Sequence, residues 1–222
     1  MTIVLKTTLV KSTLGQQTAD ILRERIIIGT YAQGVRLVEE ELASEFDVSR
    51  ATIREALRLL ESEDILIREI NKYTYVRILS RSEIISIFAV RTLLERESVA
   101  FCIANDCVPV EELHAHLNEM KRVQSIADEW DAYLKADIGF HMAIIKAMGN
   151  PYIMKFWKML QSQYLMAIYM IRAYYPNAFV GTCEEHMELF EGLVKKNDKP
   201  WLKHLAALER DISDITEKMK IS

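Results

Sequence analysis

The chain has 222 residues, half of them apolar, which is enough for one or two packed domains and excludes an intrinsically disordered protein. The formal net charge is −4, and residues 1–80 hold 11 basic and 12 acidic side chains, so a uniformly basic polyanion binder is excluded and any DNA contact requires a local patch. With only 4 Pro and 7 Gly, the chain is predicted to be mostly helical.

The first predicted helix begins after Thr13, which forms a capping pattern with Gln16. It runs to about Ile28, and Gly29 is a typical residue for its C-terminal end. Helical spacing predicts an inward-facing stripe on this helix. The members of the stripe are Leu14, Ala19, Leu22 and Ile26.

Two short helices follow in close succession. The first is predicted between Leu37 and Val48, and the second is SRATIREALRLLES at 49–62, where Ser49 can cap the N-terminus. Ile53, Ala56, Leu57 and Leu60 recur at three- to four-residue spacing and mark the buried face of the second helix. Two short helices joined by a few residues describe a helix-turn-helix.

The N-terminal end of this second helix carries guanidinium groups, as a recognition helix in the major groove requires. We expect Arg50 and Arg54 to contact base edges or adjacent phosphates, and Ser49 and Thr52 to bond phosphate. An amphipathic surface helix with solvated arginines is the alternative interpretation. Further charge for a local patch comes from Arg58, Arg68 and Lys72.

A β-hairpin is predicted after the recognition helix. Ile65 and Ile67 lie at alternate positions with polar residues on either side of the run, Tyr73, Tyr75 and Arg77 also alternate, and Asn71 and Lys72 lie between the two runs. We therefore predict a winged helix-turn-helix, with Lys72 on the wing adding a contact to the DNA backbone.

The sequence from Glu83 onward predicts only helices. The polar connector at 80–82 marks the predicted domain boundary, with Ser82 capping the next helix, so the domains are 1–79 and 80–222. A long helix from Tyr152 to Tyr174 is apolar nearly all round, which predicts burial in a helical bundle or at a subunit interface. His114 and His116 are predicted to lie on the surface.

Three side chains in the second domain are candidate metal ligands. Asp137 and His141 lie one helical turn apart, and His186 lies on another predicted helix. A carboxylate and an imidazole on one helix face suit a divalent metal, but they equally suit a structural hydrogen-bonded pair.

The segment from residue 14 to 78 resembles the DNA-binding domain of the GntR family of bacterial transcription regulators. The resemblance rests on the following residues and stretches: Gly29, Tyr31 and Gly34, Leu37 and Glu39, Leu42-Ala43, and VSR and REAL at 48–50 and 54–57. It departs from the family at Gln33, where Pro is usual, at Asp64, where Gly usually ends the recognition helix, and at the wing tip, which lacks Gly.

The second domain resembles the FCD ligand-binding domain of the FadR-type branch of that family. The matching stretches are RTLLERESVA, DIGFHMAIIKAMGNPYI and EEHMELFEGLVKKND. The resemblance implies a divalent metal held by Asp137, His141, His186 and a fourth residue, and a small carboxylate effector. The family has His at the fourth position, where Glu209 stands here, and His204 is expected on a different face of the last helix. The site is therefore completed by Glu209, reduced to three protein ligands, or lost, and a mixed N/O donor set suits Zn, Ni or Mn.

Arg91 and Glu95 match a further R-x-x-x-E element of that resemblance. They form either an intrahelical ion pair or a site in which Arg91 neutralises an effector carboxylate.

Three functions remain open, the last being a degenerate regulator whose second domain binds only a partner or itself. The first is a cytoplasmic transcription regulator, a repressor in view of the resemblance, that binds a pseudo-palindromic DNA operator as a homodimer. The second is a metal-dependent enzyme acting on a small carboxylate in the helical bundle. The three cysteines lack metal-finger spacing, and no apolar run approaches the ~20 residues that span a bilayer.

Overall fold

The computed structural model describes residues 12–69, 73–124, 126, 129–176 and 182–219. It divides into two compact units, with the division between Leu79 and Ser80. The predicted fold class, a winged helix-turn-helix followed by an all-helical bundle, is confirmed. No helix in the described residues is both long enough and apolar enough to cross a bilayer.

The N-terminal unit contains three helices and a small sheet. In chain order these are α1 (Leu14–Ile27), β1 (Arg36–Leu37), α2 (Glu39–Glu45), α3 (Arg50–Ser62), β2 (Leu66–Arg68) and β3 (Thr74–Val76). The capping pattern at Thr13 is present in part, since its side chain accepts a hydrogen bond from the Gln16 N–H. The expected burial of Leu14 was wrong, since this residue is 56% exposed.

The sheet has three antiparallel strands in the order β1-β3-β2. The predicted hairpin pairs Leu66 with Val76, and β1 adds a third strand that the alternation did not predict. Leu66 and Val76 are buried, while Ile67 is 45% exposed. The wing tip at 70–72, including Lys72, lies outside the described residues.

Gln33 and Asp64, two departures from the family pattern, each have a structural role. The Gln33 side-chain oxygen accepts a hydrogen bond of 2.9 Å from the backbone N–H of Leu79, a contact that proline could not make. Asp64 has a φ of 60°, a left-handed conformation that Asp tolerates better than most residues. Its carboxylate also accepts a hydrogen bond from Arg77.

The C-terminal unit is built from six helices in the described residues. They are α4 (Arg81–Ala104), α5 (Val110–Val123), α6 (Trp130–Ala147), α7 (Pro151–Tyr174), α8 (Cys183–Val194) and α9 (Lys199–Lys218). Helix α4 begins two residues before the expected position, because Ser80 and Glu83 form a reciprocal capping box. Phe140, Ile144 and Trp201 are among the core residues where α6 and α9 meet their neighbours.

Helix α7 is less buried than its composition predicted. Trp157, Met166 and Ile171 are buried, but Tyr152 is 73% exposed and Phe156 is 55% exposed. One face of α7 therefore packs in the interior of the bundle. The N-terminal turns of α7 leave apolar side chains exposed on the surface of the single chain.

Helices α5 and α6 approach each other closely at Gly139. A Cβ atom at this position would lie 2.2 Å from the Cε1 of His116, so the imidazole of α5 occupies the space that a side chain on α6 would fill. The prediction that His116 lies on the surface was wrong, because the ring is partly buried and burial lowers its pKa.

Candidate functional site

The recognition helix α3 begins after Ser49, as the sequence predicted. Ser49 is the N-cap and accepts a hydrogen bond of 3.2 Å from the Thr52 N–H, and the two hydroxyl oxygens are 2.9 Å apart. Ile53 and Leu60 are fully buried, so one face of the helix is fixed in the core. The opposite face is the one available to a ligand.

That opposite face presents the predicted arginines. The side chains of Arg50 and Arg54 retain 56% and 52% of their accessible surface, and Arg58 is also exposed. The guanidinium groups are therefore not covered by the rest of the chain that the structure describes. This arrangement is what entry of the helix tip into a major groove requires.

Each of the two leading arginines faces a glutamate of α2. The Arg54 Nε lies 2.7 Å from the Glu39 Oε2, and an Arg50 terminal nitrogen lies 4.0 Å from the Glu40 Oε2. The close contact fixes the direction of the Arg54 guanidinium. Helical periodicity gave no signal for Glu39, because the contact joins different helices.

A further basic residue lies at the base of the wing. The Arg36 guanidinium stacks on the Tyr73 ring at 3.7 Å from its centroid, and Arg36 is exposed on β1. The sequence analysis did not include Arg36, because β1 was not predicted. A cation held against an aromatic ring in this way is restricted in orientation.

The candidate metal ligands come together in the helical unit. Donor atoms of Asp137, His141 and His186 all lie within 4.8 Å of one another. The Asp137 Oδ1 is 2.9 Å from the His186 Nε2 and 3.9 Å from the His141 Nε2. Both imidazoles are buried, and the carboxylate side chain is 18% exposed. The predicted one-turn pairing on α6 therefore converges with a side chain from α8.

The other nitrogen of each imidazole determines its orientation. The His141 Nδ1 lies 2.8 Å from the Glu95 Oε2, and the His186 Nδ1 lies 3.2 Å from the Thr182 carbonyl oxygen. Because a carbonyl can only accept, the His186 Nδ1 carries a hydrogen, and Glu95 favours the same tautomer for His141. Both Nε2 atoms are then without a hydrogen and are available to a metal, as in metal-ligating histidines.

The His186 Nε2 is the strongest local sign that a cation belongs here. It is buried and makes no hydrogen bond within the described residues, although the Asp137 Oδ1 is only 2.9 Å away. A proton on this nitrogen would not point at the carboxylate oxygen. Two electron-rich atoms at this distance repel unless a positive charge lies between them, so the donor set fits a divalent metal.

The charges around the cluster favour an ionised carboxylate. Burial opposes ionisation of Asp137, but the neighbouring His186 and His141 outweigh it and lower the pKa of the carboxyl group. Burial likewise disfavours a charged His186, but Asp137 outweighs that effect and raises the pKa of the imidazole. Without metal, protonation of His186 would supply the positive charge that balances the Asp137 carboxylate.

Arg91 and Glu95 form the second layer of this cluster. The Arg91 Nε donates a 2.6 Å hydrogen bond to the Glu95 Oε1, so the intrahelical ion pair is present and is almost completely buried. Burial alone would raise the pKa of Glu95, but Arg91 and His141 lower it to about 2. The anion thus connects Arg91 to His141.

The fourth position differs from the expectation. Glu209 is not in the cluster of Asp137, His141 and His186, and its Oε1 accepts a hydrogen bond from the Thr92 hydroxyl. The prediction that His204 lies on a different face was wrong. Its ring centroid is 5.6 Å from that of His141 and 6.0 Å from that of His186, and burial lowers its pKa to about 4, which keeps the imidazole neutral.

Two family models match the chain. Residues 14–76 match the model described as bacterial regulatory proteins, gntR family, and residues 86–200 match the FCD domain. The chain belongs to the GntR family of regulatory proteins and carries an FCD domain. Its membership explains why the arginine-tipped helix and the buried cluster occur in one chain, since the family consists of transcription regulators.

Relatives of this GntR protein extend over most of its length. The gluconate operon transcriptional repressor of Bacillus subtilis is 29% identical, over 95% of this chain and 86% of the relative. The repressor of the same name from Bacillus licheniformis is 30% identical, over 91% and 79%. A GntR regulator from Rhodococcus sp. RHA1 shares the fold with a TM-score of 0.75 at 24% identity, over 89% of this chain and 96% of that one.

Proposed function

We propose that this protein is a homodimeric transcriptional repressor that reads a pseudo-palindromic operator and responds to a small carboxylate bound near a divalent metal. The observation that carries the proposal is the exposed arginine tip of α3, whose apolar face is fixed in the core. The repressor assignment is supported by the relatives named as repressors of gluconate operons and by one named for a D-xylose utilisation operon.

The proposed DNA contacts divide into two kinds. Arg54 and Arg50 reach base edges or adjacent phosphates, with bidentate guanine contact as the favoured geometry for a guanidinium. The remaining contacts position the protein on the backbone. They are assigned to Ser49, Thr52, Arg58 and Lys72, the last of which lies outside the described residues.

A homodimer supplies the affinity that one winged helix lacks. One recognition helix reads only a few base pairs, whereas two copies placed one helical turn of DNA apart, about 34 Å, read both halves of a pseudo-palindrome. The FCD-domain unit is proposed to bias the placement of the two DNA-binding units when the effector binds, as a population shift between two arrangements.

The proposed metal is held by Asp137, His141 and His186. One oxygen and two nitrogen donors suit Zn, Ni or Mn, and the unbonded His186 Nε2 and its tautomer support this assignment. When bound, the metal would supply a Lewis-acidic position for a carboxylate oxygen. Arg91, buried beside Glu95, is proposed to neutralise the effector carboxylate.

The DNA-binding part is tested by selecting operators from a random duplex library and measuring affinity by fluorescence anisotropy. Arg54→Ala should weaken binding of the selected operator roughly ten- to a hundredfold, because one good base contact is worth about 1–3 kcal/mol. Arg210→Ala removes an exposed arginine from α9 and is the matched control. Unchanged operator binding by Arg54→Ala would remove the recognition-helix assignment.

The metal and effector parts are tested on the protein as purified. Elemental analysis should find one equivalent of a divalent metal, and Asp137→Ala should lose it. Mass spectrometry of the denatured sample should release a small carboxylate that changes operator affinity when added back. Turnover of that carboxylate, rather than altered DNA binding, would instead favour the metal-dependent enzyme.

A further inference from the structure

Trp157 on α7 carries a buried hydrogen-bond donor without an acceptor. The residue is 5% exposed, and its indole N–H makes no hydrogen bond within the described part of the chain. Buried donors are nearly always paired in folded proteins, and an indole nitrogen can only donate. The Trp201 N–H follows that rule, since it bonds the Leu189 carbonyl at 3.1 Å.

Arg91 lies beside this unpaired donor. Its guanidinium carbon is 5.7 Å from the centroid of the Trp157 ring and 4.3 Å from that of Tyr164. The side chain is only 5% exposed, and its Nε bonds Glu95. Two buried side chains from different helices therefore lie close together, one with an unpaired indole N–H and the other with a cationic guanidinium.

We propose that the Trp157 N–H and the Arg91 terminal amino groups together hold an anionic oxygen group of the effector, with Trp157 selecting for an acceptor at that position. This inference rests on the proposed effector-binding function and assigns a ligand contact on α7. The two groups proposed to contact the ligand are an N–H and a cationic guanidinium, so a carboxylate oxygen fits better than a hydroxyl or an amide. Tyr164 covers a face of the guanidinium, which leaves its edge to the ligand.

Glu95 connects this donor pair to the metal ligands. Its two oxygens contact Arg91 and His141 at 2.6 and 2.8 Å, so the donor pair and the Asp137 cluster share one buried network. A ligand with two acceptor groups can bind the donor pair with one group and the proposed metal with the other. We therefore assign the effector to the small hydroxycarboxylates or dicarboxylates rather than to simple monocarboxylates.

The experiment is isothermal titration of metal-loaded wild-type protein with sodium D-gluconate, citrate and propionate as probes. Gluconate or citrate should bind more tightly than propionate. Trp157→Phe keeps an aromatic ring and removes the N–H, so the affinity of the tighter probe should fall roughly tenfold. Trp130→Phe, a change of the same chemistry at the start of α6, should stay within about twofold.

A second measurement does not depend on the folding of the variant. In 15N-tryptophan-labelled protein, the Trp157 indole proton signal should move downfield on addition of the tighter probe, while the Trp201 signal stays in place. The inference is overturned if that signal is unmoved, or if well-folded Trp157→Phe binds like wild type, and the proposed function then stands. If none of the probes binds the wild type, the carboxylate effector is overturned together with the donor pair.

Discussion

Glu95 of α4 lies between Arg91 of its own helix and His141 of α6, with its Oε2 2.8 Å from the His141 Nδ1. The contact directs the other imidazole nitrogen toward Asp137. A carboxylate behind a ligating histidine fixes its tautomer and raises its basicity. The position of the proposed metal thus depends on a residue that does not contact it.

Replacement of Glu95 by Gln should lower metal affinity about 10- to 100-fold, the range found for such supporting residues. The amide no longer carries the charge that favours the required tautomer. Competition with a metallochromic chelator measures the change. Glu97→Gln, an exposed change on the same helix, is the control, and equal affinity of the two variants would contradict the supporting role of Glu95.

Substitutions of His204 and Glu209 should have different effects on metal affinity, because only one of the two residues lies beside the proposed ligands. Because the His204 ring adjoins both ligating imidazoles, His204→Ala should weaken metal binding by about tenfold or more. Glu209→Gln should leave it unchanged, because the Glu209 carboxylate is bonded to Thr92. The d–d absorption of the Co(II)-loaded proteins reports the ligand set directly. A larger loss of metal affinity in Glu209→Gln than in His204→Ala would instead support Glu209 as a ligand.

Glu39→Gln should reduce discrimination by the DNA-binding unit rather than its overall affinity. The neutral amide orients Arg54 less firmly, while the loss of a negative charge near DNA strengthens sequence-independent binding. Anisotropy titrations with the selected operator and with a scrambled duplex give the ratio of affinities, which should fall by about 3- to 30-fold. Glu41→Gln, an exposed change on the same helix, should preserve that ratio.

Gly139→Ala should destabilise the protein, although alanine ordinarily stabilises a helix interior by about 1 kcal/mol relative to glycine. The new Cβ would meet His116 at 2.2 Å, and overpacking of this kind costs about 1–3 kcal/mol. Urea denaturation measures the change. In a His116→Ala background the same substitution should become stabilising. Destabilisation of equal size in both backgrounds would show that His116 is not the obstacle.

His116 should also make stability depend on pH. Burial lowers its folded-state pKa, with a smaller contribution from Lys146 against the opposing Glu112, whereas the unfolded value is about 6.5. Below that value the unfolded chain binds the proton first, so this contribution is complete above about pH 6.5 and is lost as the pH falls through the folded-state pKa. His116→Asn should lose less stability than wild type between pH 7 and 5, as measured by urea denaturation across that range, and an equal loss in the two proteins would contradict this role of His116.

Local patterns were sufficient to predict most helices. The spacing of Ile53, Ala56, Leu57 and Leu60 identified α3, and the polar connector at 80–82 located the start of α4 to within two residues, although Ser80 and not Ser82 is the cap. Strand β1 was missed because two residues carry no periodicity and pair with β3 across a long separation in the chain.

The candidate metal site was predictable only in part. One-turn spacing paired Asp137 with His141, and the family resemblance added His186. Neither approach found that Glu95 supports His141, since 46 residues separate them, or that His204 adjoins the cluster. The position of a side chain on α9 depends on how the helix is rotated against its neighbours, and a count of residues from the preceding turn does not determine that rotation.

Asp64 closes the recognition helix in a backbone conformation that glycine would adopt without strain, yet its carboxylate binds Arg77 next to β3. A glycine here would relieve that strain and remove the anchor in the same step, two effects of about 1 kcal/mol or less that oppose each other. Sequences that differ only at this position can therefore melt at similar temperatures and still differ in how rigidly they hold the hairpin. The contact between Asp64 and Arg77 can therefore anchor the hairpin without a matching effect on the melting temperature.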